Sequence, residues 1–560
     1  MVGGASASAG LKEAPAEDEE SKSSHLDSEL SMNRIFLMDN MNSTLQGGLK
    51  RENKDTSESD VFSIILEANK ELLKRTGKKI IQYGDVLVGT TRNAMICNNE
   101  PRSCLWPSSD DGNVYVPYMF EADYTESQKQ AIKKSLDEIS SVTCVKFYHR
   151  RKSEPAYISI ISGAGCYSYV GYAKSKRKLS LQISSCLNFG VIAHEFLHAI
   201  GFQHEHCRSD RDKYVKIMLE NVEEKLQFNF NLMQTNNLGT TYDYGSVMHY
   251  GKTAFTKNGL ITMLPIPDPN VELGQRRGLS TKDVLKINKL YNCDVCGNML
   301  VAKSGSFTSP NFPGHYPSNS DCKWIIRARD YFKILLEFST FNVQEFAACI
   351  GDYLTIYDGA NNLAKILDGP NCGAENPAAI STQRELLITF TSSKRMASSG
   401  FSATYRFITC GTMLLTSKGR IESRSQYAKD LHCFWVLLIR RKYQITLKLE
   451  ELKFKDTNNS ADNKLVIYDA AKSPPVILGK YHGQLSSPVD LTSFGRTIII
   501  EFRHNRSRPV YGFKISYKSI VNKNPPTISG ASHEGSYYNN VTFVPCIFLI
   551  FFMENLIFVK

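Results

Sequence analysis

His194-Glu195-Phe196-Leu197-His198-Ala199-Ile200-Gly201-Phe202-Gln203-His204-Glu205 is the stretch around which the chain is organised. His194 and His198 are four residues apart, so on a helix they stand one above the other on the same face. Two imidazoles so placed hold one Zn²⁺, and Glu195 sits beside them where a general base for a water belongs. Gly201 follows three residues after the second histidine. A continuing helix would carry the chain away from the metal. A glycine takes φ > 0 there and turns the chain back, so that His204 supplies a third ligand. Three histidines leave coordination positions open for water and substrate, the mark of a catalytic rather than a structural site.

A surface helix that happens to carry histidines explains a bare His-Glu-x-x-His, but not Gly201 and His204 in addition. The stretch also has an independent partner downstream. Ser246-Val247-Met248-His249-Tyr250 reads as the Met-turn of a metzincin. The two together read as the site of a zinc peptidase.

These residues resemble the astacin family of metalloendopeptidases. The long form of the family's zinc motif is present whole, including Phe202 and Glu205, and so is the Ser-x-Met-His-Tyr turn. The resemblance implies that His194, His198 and His204 bind one zinc per subunit and that Glu195 is the general base. It implies that Tyr250 binds the metal in the resting enzyme and swings toward the oxyanion during turnover. Met248 is then the apolar floor beneath the metal.

At 560 residues the chain holds several domains rather than one core. Its net charge of +11 is spread thinly, with no long basic block, which argues against a nucleic-acid partner and suits acidic glycoprotein substrates. The 14 cysteines form no zinc-ribbon pattern and point to a disulfide-bearing, exported protein. Sequons at Asn458, Asn505 and Asn540 agree. Met1 to Glu20 has no apolar stretch of the length a signal peptide needs, which we read as a start that is truncated or replaced in this sequence.

Residues 1–60 are polar and expected to be disordered. Residues 61–92 are expected to form a propeptide. The spacing of Phe62, Ile65, Leu66, Leu72 and Leu73 predicts an amphipathic helix from Val61 to Arg75. Gln82-Tyr83-Gly84-Asp85 resembles the Phe-x-Gly-Asp motif of astacin propeptides, with Gln82 in place of the Phe. By that resemblance Asp85 occupies the zinc and blocks water; the alternative is an ordinary Gly-Asp turn. Arg92–Asn93 offers a basic site to an activating protease. The resemblance implies that the amine freed at Asn93 is buried against Glu205, a carboxylate costly to bury without a partner.

Residues 93–293 are expected to be an α+β, metzincin-type catalytic domain. Tyr115 to Tyr118 and Ala156 to Ile161 read as strands, and Glu126 to Ser141 as a helix capped near Thr125 with apolar Ile132, Leu136 and Ile139. Gly165 to Ser168 resembles the astacin edge region along which substrate pairs as an added strand. The family's two disulfides map to Cys144–Cys293 and Cys166–Cys186. A further pair, Cys97–Cys104, resembles hatching enzymes. Cys207 falls outside the pattern, and neither its state nor that of Cys546 follows from sequence.

Cys296-Gly297-Asn298-Met299-Leu300 is echoed by Cys410-Gly411-Thr412-Met413-Leu414, 114 residues on. Both copies, 296–407 and 410–519, resemble CUB domains, all-β antiparallel sandwiches. The resemblance implies Cys296–Cys322 and Cys349–Cys372 in the first and Cys410–Cys433 in the second, which lacks the other bridge. Many CUB domains hold Ca²⁺ on three acidic residues. Glu345 and Asp352 match two of them in the first copy, where Ser393 replaces the third, and Asn505 replaces it in the second. Calcium is therefore expected only in the first copy, the bland alternative being a solvated loop.

Residues 520–560 form a polar linker and an apolar tail from Phe543 to Met553, too short to span a membrane. Small residues at Ser529–Ala531 ahead of that tail make a GPI signal an alternative to plain secretion, although Glu554 and Lys560 interrupt it.

The reading is a secreted zinc endopeptidase made as a zymogen, acting on protein or glycoprotein substrates. One catalytic domain, two CUBs and no EGF-like module resemble hatching enzymes, which digest the egg envelope. Processing of matrix or growth-factor precursors differs only in substrate. A silent protease fold whose CUB domains serve adhesion would be expected to have lost zinc ligands, and none is lost.

Overall fold

The computed structural model describes residues 60–76, 80–87, 103–275, 277–394, 398–423, 431–454, 464–472, 474–504 and 512–522. The segment before Asp60, the expected cleavage site Arg92–Asn93, Cys97, all three sequons, Cys546 and the apolar tail lie outside these residues.

Helix α1 (Val61–Thr76) begins the described chain. Asp60 caps it, accepting from the Ser63 amide at 3.0 Å and the Ser63 hydroxyl at 2.8 Å. Phe62, Ile65 and Asn69 form its buried face. A hairpin of β1 (Ile81–Gln82) and β2 (Val86–Leu87) follows. The catalytic domain proper contributes β3 (Val114–Phe120), α2 (Glu126–Val142), β4 (Val145–His149), β5 (Ile158–Ile161), β6 (Cys166–Ser168) and β7 (Arg177–Leu181). Its sheet runs β1-β2-β6-β7-β5-β3-β4, with β7, β5, β3 and β4 parallel and β6 antiparallel to β7. The β1–β2 hairpin therefore adds itself to edge strand β6, with Val86 paired to Ser168.

Helix α2 starts in a reciprocal capping box of Thr125 and Gln128 and buries Ile132, Leu136 and Ile139. It packs against α3 (Phe189–Ala199), capped by Asn188 and buried from Gly190 onward. A helix apolar on every side is a core helix, so the histidines on it face protein rather than solvent. Strands β8 (Val215–Ile217) and β9 (Met263–Pro265) form a small ribbon beyond it. Helix α4 (Thr281–Tyr291) opens on a Ser280–Asp283 capping box and ends at Asn292 in the left-handed conformation. Cys144–Cys293 then ties its end to the start of β4, and Cys166–Cys186 ties β6 to the loop before α3.

The first CUB sandwich has strands β10 (Gly297–Leu300), β11 (Ser304–Thr308), β12 (Asp321–Arg327), β13 (Lys333–Asn342), β14 (Tyr353–Tyr357), β15 (Ile366–Asn371), β16 (Ala378–Ile380), β17 (Glu385–Thr391) and β18 (Gly400–Ile408). One sheet is β10-β12-β17-β14-β15 and the other β11-β18-β13-β16; the second copy repeats both orders strand for strand. The sandwich is not wholly antiparallel. In each copy the first strand runs parallel to its neighbour, β10 to β12, and Cys410–Leu414 to Leu431–Leu438. A disulfide at the start of each pair, Cys296–Cys322 or Cys410–Cys433, draws the strands together. The repeated glycine makes the approach possible. A Cβ at Gly297 would lie 1.9 Å from the Lys323 carbonyl oxygen, and one at Gly411 1.6 Å from that of Phe434.

Catalytic domain and first sandwich share a core. Met299, Ile325 and Leu387 pack in the same apolar cluster as Val284 and Ile287 of α4. Arg327 crosses the junction fully buried, donating to Glu138 of α2 at 3.0 Å, to Glu385 at 2.8 Å and to the Arg277 carbonyl at 2.8 Å. The two sandwiches meet through Leu335, Ile380, Phe434, Val436 and Ile499. Arg496 bridges them, to Asp368 at 3.1 Å and Asn371 at 2.7 Å.

Candidate metal centre and catalytic cleft

Helix α3 places His194 and His198 with ring centroids 4.8 Å apart, and the chain then turns at Gly201, φ 105°. That turn brings the His204 ring to 5.2 Å from His194 and 4.7 Å from His198. The Nδ1 atom of His194 lies 2.8 Å from the Val247 carbonyl, and that of His198 2.7 Å from the Phe202 carbonyl. Each can donate only if Nδ1 carries the proton, which leaves the Nε2 lone pair facing inward.

Into this cluster the turn between β1 and β2 carries Asp85. Its Oδ2 lies 2.9 Å from His194 Nε2 and 3.3 Å from His204 Nε2, and its Oδ1 lies 3.5 Å from His198 Nε2. His194 Nε2 and His204 Nε2 are 3.2 Å apart. Donors held about 2.0–2.1 Å from one tetrahedral zinc stand roughly 3.3 Å from each other, so these spacings fit a shared cation. His198 Nε2 and both Glu195 oxygens are buried with no hydrogen-bond partner, which also suits a metal and its water. Burial pushes the Asp85 carboxyl up, but the surrounding imidazoles outweigh it and hold it well below the ordinary carboxylate range. Burial and the charge of Asp85 push Glu195 well up. A dication at the centre works against both pressures on Glu195.

The Met-turn lies beneath the cluster. Met248 is buried, and its carbonyl accepts from the Glu205 amide at 2.9 Å. Tyr250 donates its hydroxyl to the Tyr83 carbonyl at 2.6 Å, so the β1–β2 turn holds this side chain by its phenol. The turn itself hangs on Asp283, a residue missed in the sequence reading. Asp283 Oδ1 accepts from the Ser246 hydroxyl at 2.6 Å, and Oδ2 from the Val247 amide at 2.9 Å. The Ser280-x-x-Asp283 spacing was the available signal, a capping box whose carboxylate reaches beyond its own helix.

Both carboxylate oxygens of Glu205 are paired. Its Oε1 accepts from Arg208 at 3.2 Å and the Asp243 amide at 2.9 Å, and its Oε2 from Lys286 of α4. Asn93, the residue expected to meet it, is outside the described chain. Cys207 is a buried free thiol 3.4 Å from His206 Nε2, its pKa raised by burial. Cys349 is bonded to Cys372, and Cys104 is disulfide-bonded. In the first sandwich Asp352 is buried, its oxygens taken by Tyr316 at 2.6 Å and the Ser393 amide at 2.7 Å, while Glu345 is exposed.

Residues 102–292 match the model of the Astacin peptidase family, and residues 296–405 and 410–517 each match the CUB domain. The chain is 35% identical to Embryonic protein UVS.2 of Xenopus laevis over 471 residues, 83% of this chain and 89% of that protein. It is 40% identical to an Astacin-like metalloendopeptidase of Coturnix japonica over 354 residues, 63% of this chain and 84% of the relative. It is 43% identical to the Low choriolytic enzyme of Oryzias latipes over 255 residues, 46% of this chain and 92% of that enzyme. A catalytic domain matched over nearly its whole length and running into two CUB sandwiches thus places the chain in the astacin family, as a zinc metalloendopeptidase.

Proposed function

We propose that this chain is the zymogen of a secreted endopeptidase that digests extracellular glycoproteins of the egg-envelope kind. One observation carries the zymogen reading: the Asp85 carboxylate lies within 3.5 Å of the Nε2 atoms of His194, His198 and His204. Those histidines hold the zinc in this reading, and Asp85 takes the position water needs. Bound there, Zn²⁺ supplies Lewis-acid polarisation of the scissile carbonyl and eases deprotonation of the attacking water.

Glu195 takes the proton of the attacking water and returns it to the leaving amine. Tyr250, freed from the Tyr83 carbonyl, donates to the oxyanion, a contact strongest in the transition state. Met248 keeps the floor of the site apolar. Cleavage between Arg92 and Asn93 by an activating protease releases the inhibitory segment, and the new amine joins the Glu205 cluster. The egg-envelope substrate is supported by the name of the choriolytic relative and by the domain order. The CUB sandwiches raise the local concentration of enzyme on such a surface, and Glu345 and Asp352 offer the first of them a calcium site.

The test is cleavage of a purified egg-envelope preparation and of casein by the activated chain, with Glu195→Ala and a zinc chelator as controls. Activity lost in both controls and preference for envelope support the proposal. Equal or better cleavage of casein removes the envelope assignment, and no cleavage by folded, zinc-loaded protein removes the enzyme mechanism.

A further inference from the structure

Besides Asp85, which reaches the histidine cluster, α1 brings two more buried side chains into the same cleft. Asn69 is fully buried, and its carboxamide faces the backbone of edge strand β6. Asn69 Nδ2 donates to the Cys166 carbonyl at 2.6 Å, and Asn69 Oδ1 accepts from the Cys166 amide at 2.8 Å. This two-way exchange is what an antiparallel peptide strand makes with a hydrogen-bonded residue of a sheet edge. The approach is close: a Cβ on Gly165 would lie 1.9 Å from Asn69 Oδ1.

Two helical turns earlier, Phe62 is 1% exposed. Its ring stacks on Tyr250 at 3.6 Å between centroids, and it meets the His204 and Phe255 rings edge-on at 5.6 and 5.8 Å. Gly84 of the inhibitory turn closes over it, since a Cβ there would come within 2.8 Å of the Phe62 ring. Phe62 thus fills an aromatic recess beside the metal ligands.

We infer that α1 is a surrogate for substrate. Asn69 takes the backbone bonds of a strand added to β6, and Phe62 takes a side-chain subsite that accepts an aromatic or large aliphatic residue of the substrate once the propeptide leaves. The inference rests on the peptidase reading above. Seven residues of helix span about 10.5 Å, a distance an extended peptide covers in about three residues. The favoured apolar side chain therefore sits about three residues from the one paired with Cys166.

Two measurements test this on the activated full-length chain. The first is binding of a synthetic peptide of residues 61–87 to the Glu195→Ala enzyme by calorimetry. Phe62→Ala in the peptide is expected to weaken binding by at least about thirtyfold, and Phe62→Leu by no more than about fivefold. Asn69→Ala is expected to weaken it at least about tenfold. The second is cleavage of a randomised peptide library, with one position expected to favour Phe, Tyr, Leu or Met at least about tenfold over Ala. Peptide affinity unchanged within twofold by Phe62→Ala, or casein and library cleavage with no apolar preference at any position, overturns the inference and leaves the peptidase reading standing. Absence of any cleavage sinks the peptidase reading instead, and the binding measurement still decides whether the recess selects Phe62.

Discussion

Lys286 of α4 donates to Glu205 across 81 residues of chain, and both side chains are buried. The carboxylate next to the third histidine therefore has an internal cation, with Arg208 as a second. Lys286→Met leaves that charge with less compensation. The expected cost is about 2–4 kcal/mol of stability in denaturant unfolding of the full chain. Adding Glu205→Gln to Lys286→Met should recover part of it, and an unchanged double variant would show that the pair is not coupled.

Asp85→Ala removes the carboxylate from the histidine cluster while α1 and Asn69 stay in place. Casein hydrolysis by the uncleaved chain should rise at least about tenfold over wild type, because the open position becomes available to water. Equal activity in the two would show that α1 alone enforces latency.

Arg327 is the fully buried cation between Glu138 and Glu385. Burial pushes Glu138 up even with Arg327 beside it, so removing the guanidinium strands two carboxylates at the domain junction. Arg327→Met should cost about 3–5 kcal/mol and lower the melting temperature of catalytic domain and first sandwich together. Separate transitions, with only the sandwich displaced, would contradict the shared core.

In the second sandwich, Glu501 is pushed up by burial but pulled down to about 2 by His432, Tyr468 and Lys464. A carboxyl depressed in the folded state adds stability above its unfolded pKa, near 4.3, and loses it as pH falls toward 2. Glu501 is buried but its partner His432 reaches solvent, which screens the pair, so about 1–2 kcal/mol is expected. Acid unfolding of Glu501→Gln should show a flatter dependence between pH 5 and pH 2 than wild type does.

The zinc motif and Met-turn were legible because their chemistry is written at short spacing. His194 and His198 share a helix face, Gly201 turns the chain, and Met248 sits two residues before Tyr250. Helices α1 and α2 were legible from apolar spacing, within a residue at their ends. The strand read from Ala156 begins only at Ile158, since nothing in the alternation marks where pairing with β3 and β7 starts. Contacts made across the fold were not legible. Arg327 and Glu138 are 189 residues apart, Asn69 and Cys166 97, and no local pattern announces either pair. The parallel first strand of each sandwich was not legible, because the glycine that permits it answers a backbone contact made across the sheet.

Ile325 and Met299 belong to a sandwich strand and to the core beneath α4 at once. Removing the sandwiches, by ending the chain between Cys293 and Cys296, would expose this apolar seam and leave Glu138 without its cation. The accessory modules thus complete the protease's own core, and their loss is expected to destabilise it.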